Sequence, residues 1–156
     1  MFSLFKNKIE EIYNPVIGKI IPLKEINDGV FSEKLMGEGF AIRPKNGVIF
    51  APIEGTVTSI FPTKHAISIE TRSGLEVLLH IGLDTVELNG EGFNILVKEG
   101  SKISKNTQLA EVSLSVLREK NKRNTIMVVF PEARGKVVDI KYGEFEANKT
   151  IGEVKE

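Results

Sequence analysis

Pro62–Val86 reads PTKHAISIETRSGLEVLLHIGLDTV and holds both histidines of the chain, His65 and His80. Within it Ala66–Arg72 partly alternates, Ile67 and Ile69 against Ser68 and Glu70, the period-two pattern of a strand. Leu75–Ile81 is a nearly unbroken apolar run, as in a strand covered on both faces. Between them Ser73-Gly74 predicts a two-residue hairpin turn, the glycine supplying the positive φ such turns need. In that register Arg72 faces Leu75 and Ile67 faces His80. His65 is then the diagonal neighbour of His80 on the same face, with Cβ atoms about 7 Å apart. A slip of one residue would put the two rings on opposite faces. The spacing allows a two-histidine site without proving one.

The neighbours of each histidine favour exposed chemistry over a satisfied core residue. His80 opens the run His-Ile-Gly-Leu-Asp-Thr-Val, leaving its strand at Gly82 with Asp84 close by. Thr63, two residues before His65, can hydrogen-bond an imidazole nitrogen and so select its tautomer.

Working outward, the chain from Asn14 is a series of short apolar stretches separated by Gly, Pro and Asn, the pattern of an all-β sandwich or barrel. Two pieces recur, Asn14-Pro-Val-Ile-Gly-Lys-Ile and Ala51-Pro-Ile-Glu-Gly-Thr-Val. A second pair follows, Gly100-x-x-Ile103-x-x-Asn106-x-x-Leu109 and Gly143-x-Phe145-x-x-Asn148-x-x-Ile151. These read as the same turns in two similar halves, with Asn tolerating the left-handed conformation. They argue architecture, not chemistry. Asn89-Gly90 predicts a hairpin between Thr85–Leu88 and Phe93–Val97. Ser113–Lys122 predicts the one helix of the body, with Ser113 as its cap and Arg118–Arg123 as its solvated face. Residues 1–13, MFSLFKNKIEEIY, space Phe2, Phe5, Ile9 and Ile12 by three and four, which reads as a short amphipathic helix or as a frayed arm that packs on the domain or stays disordered.

Composition narrows the class. The 156 residues fit one domain, and 21 Lys plus Arg against 21 Asp plus Glu leave no net field to recruit nucleic acid or an anionic membrane. The absence of cysteine removes disulfides and thiol catalysis and fits a cytoplasmic location. No apolar run approaches the roughly 18 residues of a spanning helix, and no signal peptide is visible.

The stretches PTKHAISIE and LLHIGLDTVELNGEGF, with NDGVFSEKLMGEGFAIRP and NGVIFAPIEGTV upstream, resemble the glucose-type IIA proteins of the bacterial phosphoenolpyruvate-dependent sugar phosphotransferase system. The resemblance runs from about Asn14 to the C-terminus. It implies an antiparallel β-sandwich, or barrel-sandwich hybrid, with internal duplication and one or two short helices. Residues 14–156 would form a single IIA-type domain behind an arm at 1–13 that touches membranes at most peripherally.

Function also follows as an expectation of the resemblance. His80 would carry a phosphoryl group, His65 would assist from the same depression, and the Gly82 carbonyl would hold the second ring nitrogen of His80. Val30, Phe31, Leu35, Met36, Phe61, Leu78 and Val86 would form an exposed apolar rim for partners, with Asp28 and Asp84 offering salt bridges to a basic one. The donor would be the histidine phosphocarrier protein and the acceptor a cysteine on a sugar-specific IIB domain of a IIBC permease, with regulatory targets besides. No cofactor or metal is implied.

Two rival classes share this kind of fold. A zinc peptidase needs three protein ligands, but Leu78 and Gly82 leave His80 with no flanking histidine. His65 and His80 could grip zinc only with a partner's carboxylate. A biotinyl or lipoyl carrier needs its lysine in a Met-Lys-Met or Asp-Lys-Ala tip, and neither tripeptide occurs.

Overall fold

Apolar residues at alternate positions, broken every few residues by Gly, Pro or Asn, give fourteen strands in the computed structural model, which describes residues 9–133 and 135–155. In chain order they are β1 (Ile9–Tyr13), β2 (Gly18–Pro22), β3 (Glu38–Pro44), β4 (Val48–Phe50), β5 (Gly55–Ile60), β6 (Ala66–Glu70) and β7 (Glu76–Leu83). There follow β8 (Phe93–Ile95), β9 (Lys102–Ile103), β10 (Gln108–Val112), helix α1 (Leu114–Glu119), β11 (Arg123–Phe130), β12 (Val137–Ile140), β13 (Gly143–Phe145) and β14 (Thr150–Lys155). Single 3-10 turns occupy Leu23–Ile26 and Thr85–Leu88.

An eight-stranded sheet, ordered β13-β2-β3-β11-β7-β6-β5-β9, packs against two three-stranded sheets, β1-β14-β12 and β4-β10-β8. Phe40, Ile42, Ile67, Leu79 and Val128 from the large sheet meet Ile12, Ile49, Leu109 and Val154 from the small ones in one buried core. The opposite face of the large sheet buries Ala41, Ala66, Leu78, Met127 and Val129 under Leu23, Ile26 and Phe31. This is the antiparallel β-sandwich expected.

The strand order is palindromic about the β11–β7 contact, and the repeated sequences occupy matching places. The Tyr13 N–H donates to the Pro52 carbonyl and the Phe50 N–H to the Pro15 carbonyl, both at 2.7 Å. The Asn14 N–H donates to Lys149 at 2.8 Å, and the Ala51 N–H to Thr107 at 2.9 Å. The duplication is therefore written into the backbone bonding. The paired turns differ in detail: Asn148 has φ 69, whereas Asn106 is not left-handed and its turn is closed by the Ser104 N–H bonding to the Thr107 hydroxyl.

Four local readings change. Of the arm at 1–13, residues 1–8 lie outside the described residues, and Ile9–Tyr13 is strand rather than helix. It pairs with β14 from Ile9↔Lys155 to Ile12↔Gly152 and buries Ile12 completely. So short a helix cannot repay its nucleation, whereas a waiting sheet edge supplies the ladder at once. The Asn89-Gly90 hairpin is absent as such. Both residues have positive φ, but they end the Thr85–Leu88 turn, and β8 pairs with β10 instead. Helix α1 is capped by Ser113, whose hydroxyl accepts from the Val116 N–H, and it stops at Glu119. Asn121 at φ 58 then turns Lys122 and Arg123 away from the helix.

The fourth change decides the site. The β6–β7 turn has three loop residues, Arg72–Gly74, closed by the Thr71 N–H to Leu75 and the Gly74 N–H to Thr71, each 2.9 Å, with Gly74 at φ +90. That is the three-residue hairpin with a left-handed glycine. The ladder accordingly pairs His80 with Ala66, not with Ile67.

Candidate functional site

His80 lies on the outer face of β7, between Ala66 of β6 and Met127 of β11. The methyl side chain of Ala66 leaves room beside the imidazole. Strict alternation would now aim His65 through the sheet. It escapes because β6 begins only at Ala66. Lys64 at φ 65 closes a turn back to Phe61 (Lys64 N–H to the Phe61 carbonyl, 2.7 Å), so His65 belongs to the turn rather than to the strand's alternation. The two rings stand 4.9 Å apart between centroids, nearly perpendicular at 79°. Phe61 lies 5.5 Å from His65, and Phe31 lies 5.1 Å from His80. Four rings thus run in a row, Phe61–His65–His80–Phe31.

Hydrogen bonds orient both imidazoles. Gly82 at φ +80 lies at a register irregularity near the end of β7 and turns its carbonyl toward His80, whose Nδ1–H donates to it at 2.8 Å. A carbonyl can only accept, so the proton of the neutral ring is on Nδ1 and the lone pair is on Nε2. Only glycine serves here: a Cβ would sit 2.5 Å from Thr85 Cγ2 and 3.0 Å from the Arg123 carbonyl oxygen. Thr63 Oγ1 lies 2.7 Å from His65 Nδ1.

Burial first, and the neighbouring His65 second, push the His80 pKa down to about 4 against the pull of the Gly82 bond, Asp84 and Asp28. Burial also lowers that of His65. Both rings are neutral at neutral pH, and His80 presents an unprotonated nitrogen in a half-buried position.

Around the rings Val30, Leu35, Met36, Phe61 and Val86 are exposed, Leu35 at 70%. Phe31 and Leu78, expected in the same exposed rim, are buried at 6% and 7%. They form the layer beneath, because Phe31 packs its ring on His80 and Leu78 lies in the outer-face cluster. Asp28 accepts from the backbone N–H groups of Val30, Phe31 and Ser32. Burial raises its pKa, but those bonds and the Ser32 hydroxyl outweigh it and hold the carboxyl below its ordinary value. Asp28 therefore builds the loop that carries Phe31. Asp84, at φ 61, is exposed just beyond β7.

A depression of about 400 Å3 opens beside His80 between Phe31, Leu83, Asp84, Val86 and Arg123. Another, of about 440 Å3, is bordered by Glu54, Glu70, Arg72 and Lys102, surface groups with no histidine among them, so the chemistry points to the first. In the sequence Arg123 reads as the end of a basic, solvated helix face, whereas the fold brings it to the depression beside His80. Among the described residues no three His, Asp or Glu side chains are grouped to hold a metal ion. No described helix is long and apolar enough to cross a membrane.

Residues 10–135 match the family model of the phosphoenolpyruvate-dependent sugar phosphotransferase system, EIIA 1. The chain belongs to this family. It is similar to a PTS system glucose-specific EIICBA component of Streptococcus pneumoniae, 42% identical over 153 residues, which are 97% of this chain and 21% of the relative. The chain thus spans about a fifth of that relative's length. It also resembles the solved glucose permease IIA from Mycoplasma capricolum, at 38% identity and a TM-score of 0.82, over 94% of this chain and 96% of that one. As a IIA domain it is a phosphocarrier of the sugar phosphotransferase system, and its class of reaction is phosphoryl transfer.

Proposed function

We propose that His80 of this IIA domain is the phosphoryl acceptor, that His65 stabilises the group in transit, and that Gly82 and Thr63 orient the two rings. The observation that supports this reading is the His80 Nδ1–H bond to the Gly82 carbonyl, which leaves Nε2 as the nucleophile beside a second neutral imidazole. In loading, Nε2 attacks the phosphorus of a phosphohistidine on the donor. The new N–P bond forms as the old one breaks, and the donor's imidazole leaves with the electron pair. In unloading, a cysteine thiolate attacks the same phosphorus and His80 departs as neutral imidazole. Such transfer asks a protein mainly for position and charge stabilisation. With the Thr63 hydroxyl donating to His65 Nδ1, the His65 proton is on Nε2, free to bond a phosphoryl oxygen.

The donor is the histidine phosphocarrier protein and the acceptor a cysteine of a sugar-specific IIB domain, both working in the cytoplasm. Val30, Leu35, Met36, Phe61 and Val86 form the apolar docking face that the two share, with Asp28 and Asp84 as its anionic points. The phosphocarrier domain includes Ile9–Tyr13, which completes one of its sheets. Glucose, named in both relatives, is the first sugar to test. Incubation with phosphoenolpyruvate, the first enzyme of the system and the phosphocarrier protein should yield acid-labile phosphate at His80, read by phosphorus NMR or mass spectrometry. His80→Ala should yield none. Normal loading of that variant would overturn the assignment.

A further inference from the structure

Two cations that follow helix α1 are tied to different walls of the His80 depression. The Lys122 ammonium pairs with Glu87, in the Thr85–Leu88 turn that carries Val86. The Arg123 guanidinium donates to the Ile26 carbonyl at 2.6 Å, at the root of the loop that carries Asp28 and Phe31. Arg123 is also fixed by its main chain. It pairs with Leu83 across the irregularity in the β7–β11 ladder, and its carbonyl lies against Gly82.

From Ile26 the chain to His80 is short and stiff. Ile26 is buried, Asn27 takes φ 57, and the Asp28 carboxylate gathers the next amides into one unit that ends in the Phe31 ring. We infer that Lys122 and Arg123 are positioning residues of this site, Arg123 setting how closely Phe31 covers His80 and Lys122 holding the Val86 wall. The kinetic consequence rests on His80 being the acceptor. The geometric one does not.

Removing the guanidinium leaves the buried Ile26 carbonyl without its donor, frees the loop root and lets water reach the imidazole. Burial is the largest cause of the low His80 pKa, so its titration reports the clamp directly. The charged or titratable groups facing it are His65 from the preceding turn, Asp28 from the loop, Asp84 beyond β7 and Arg123 from β11.

Histidine nitrogen NMR titrations of the unphosphorylated protein test this. In Arg123→Ala the His80 pKa should rise from about 4 toward 6.5, and loading by the phosphocarrier protein should slow on the order of tenfold. Arg123→Lys, which keeps a donor at nearly the same reach, should restore most of both, and Lys122→Ala should change them less. The shift should persist at about 1 M salt, where screening acts within about 3 Å. An unmoved titration in Arg123→Ala, with or without a lower Tm, would show a merely structural residue and overturn the inference. A shift that disappears at high salt would replace the clamp with a direct charge effect and overturn it too. If the titration moves while the parent protein accepts no phosphate, the clamp stands and the acceptor assignment fails.

Discussion

The two halves of the large sheet are near copies in bonding and unlike in chemistry. Turning the sheet about the Leu79↔Val128 pair exchanges Leu78 with Met127 and places His80 where the other half has Val129. What separates the two positions is the connection above each. In the first half β2 and β3 are joined through residues 23–37, and Val129 is fully buried in a cluster with Leu23, Ile26 and Phe31. In the second half β5 and β6 are joined by residues 61–65 alone, and His80 stays half-buried. One long loop thus covers its own half and lends a single ring, Phe31, to the other. Unequal loops on a duplicated framework leave one half with a half-buried imidazole and the other with a covered valine, without a change of strand order.

The comparison can be broken most sharply by moving the histidine. Val129→His should place an imidazole under the cover of residues 23–37, where it finds neither a Gly82-like carbonyl nor a route for a partner. No phosphate should appear at residue 129 by mass spectrometry while His80 is still loaded. Burying an unsatisfied polar ring should also cost about 1–3 kcal/mol in denaturant unfolding. Phosphorylation at 129 would mean that the loop does not distinguish the halves.

A smaller effect separates the two histidines of the second half. His65→Gln retains an N–H donor but loses the ring, so His80 should still take up phosphate. Passage to a IIB cysteine should slow by about 10²–10³, the usual effect of losing one donor to developing charge. Single-turnover assays with labelled phosphoenolpyruvate follow the two half-reactions apart, and a wild-type relay rate would make His65 a bystander.

The last of these effects is a slope with pH. The folded His80 pKa, about 4, is below the ordinary 6.5, so between those values the unfolded chain binds a proton that the native protein does not. The native state therefore loses stability as pH falls from 6.5 to about 4, by at most about 3 kcal/mol. Asp28, depressed below its ordinary value, adds its loss lower still, as pH falls through its folded pKa. His80→Gln should flatten the upper window in urea titrations at several pH values. Val129, which does not titrate, gives the first half no such slope.

The amino-acid sequence by itself determined the all-β class and the duplication, and it singled out His65 and His80 as the candidate pair. Alternation, turn residues and the motifs around His65 and His80 are local properties, and local chemistry is legible along a chain. It also marked the Ser113 cap, since a hydroxyl before an apolar turn has one bonding use there. Register was another matter. Ser73-Gly74 suits a two-residue turn and a three-residue one equally, and the choice fell to the pairing of Ala66 with His80 across two buried faces. That choice alone would have parted the histidines. They meet because Lys64 takes a left-handed conformation that releases His65 from the alternation of β6. Tertiary structure likewise sent Ile9–Tyr13 to a sheet edge, buried Phe31, and brought Arg123 to Ile26, far away along the chain. Each of these depends on what lies opposite in space, and spacing along a chain carries no record of that.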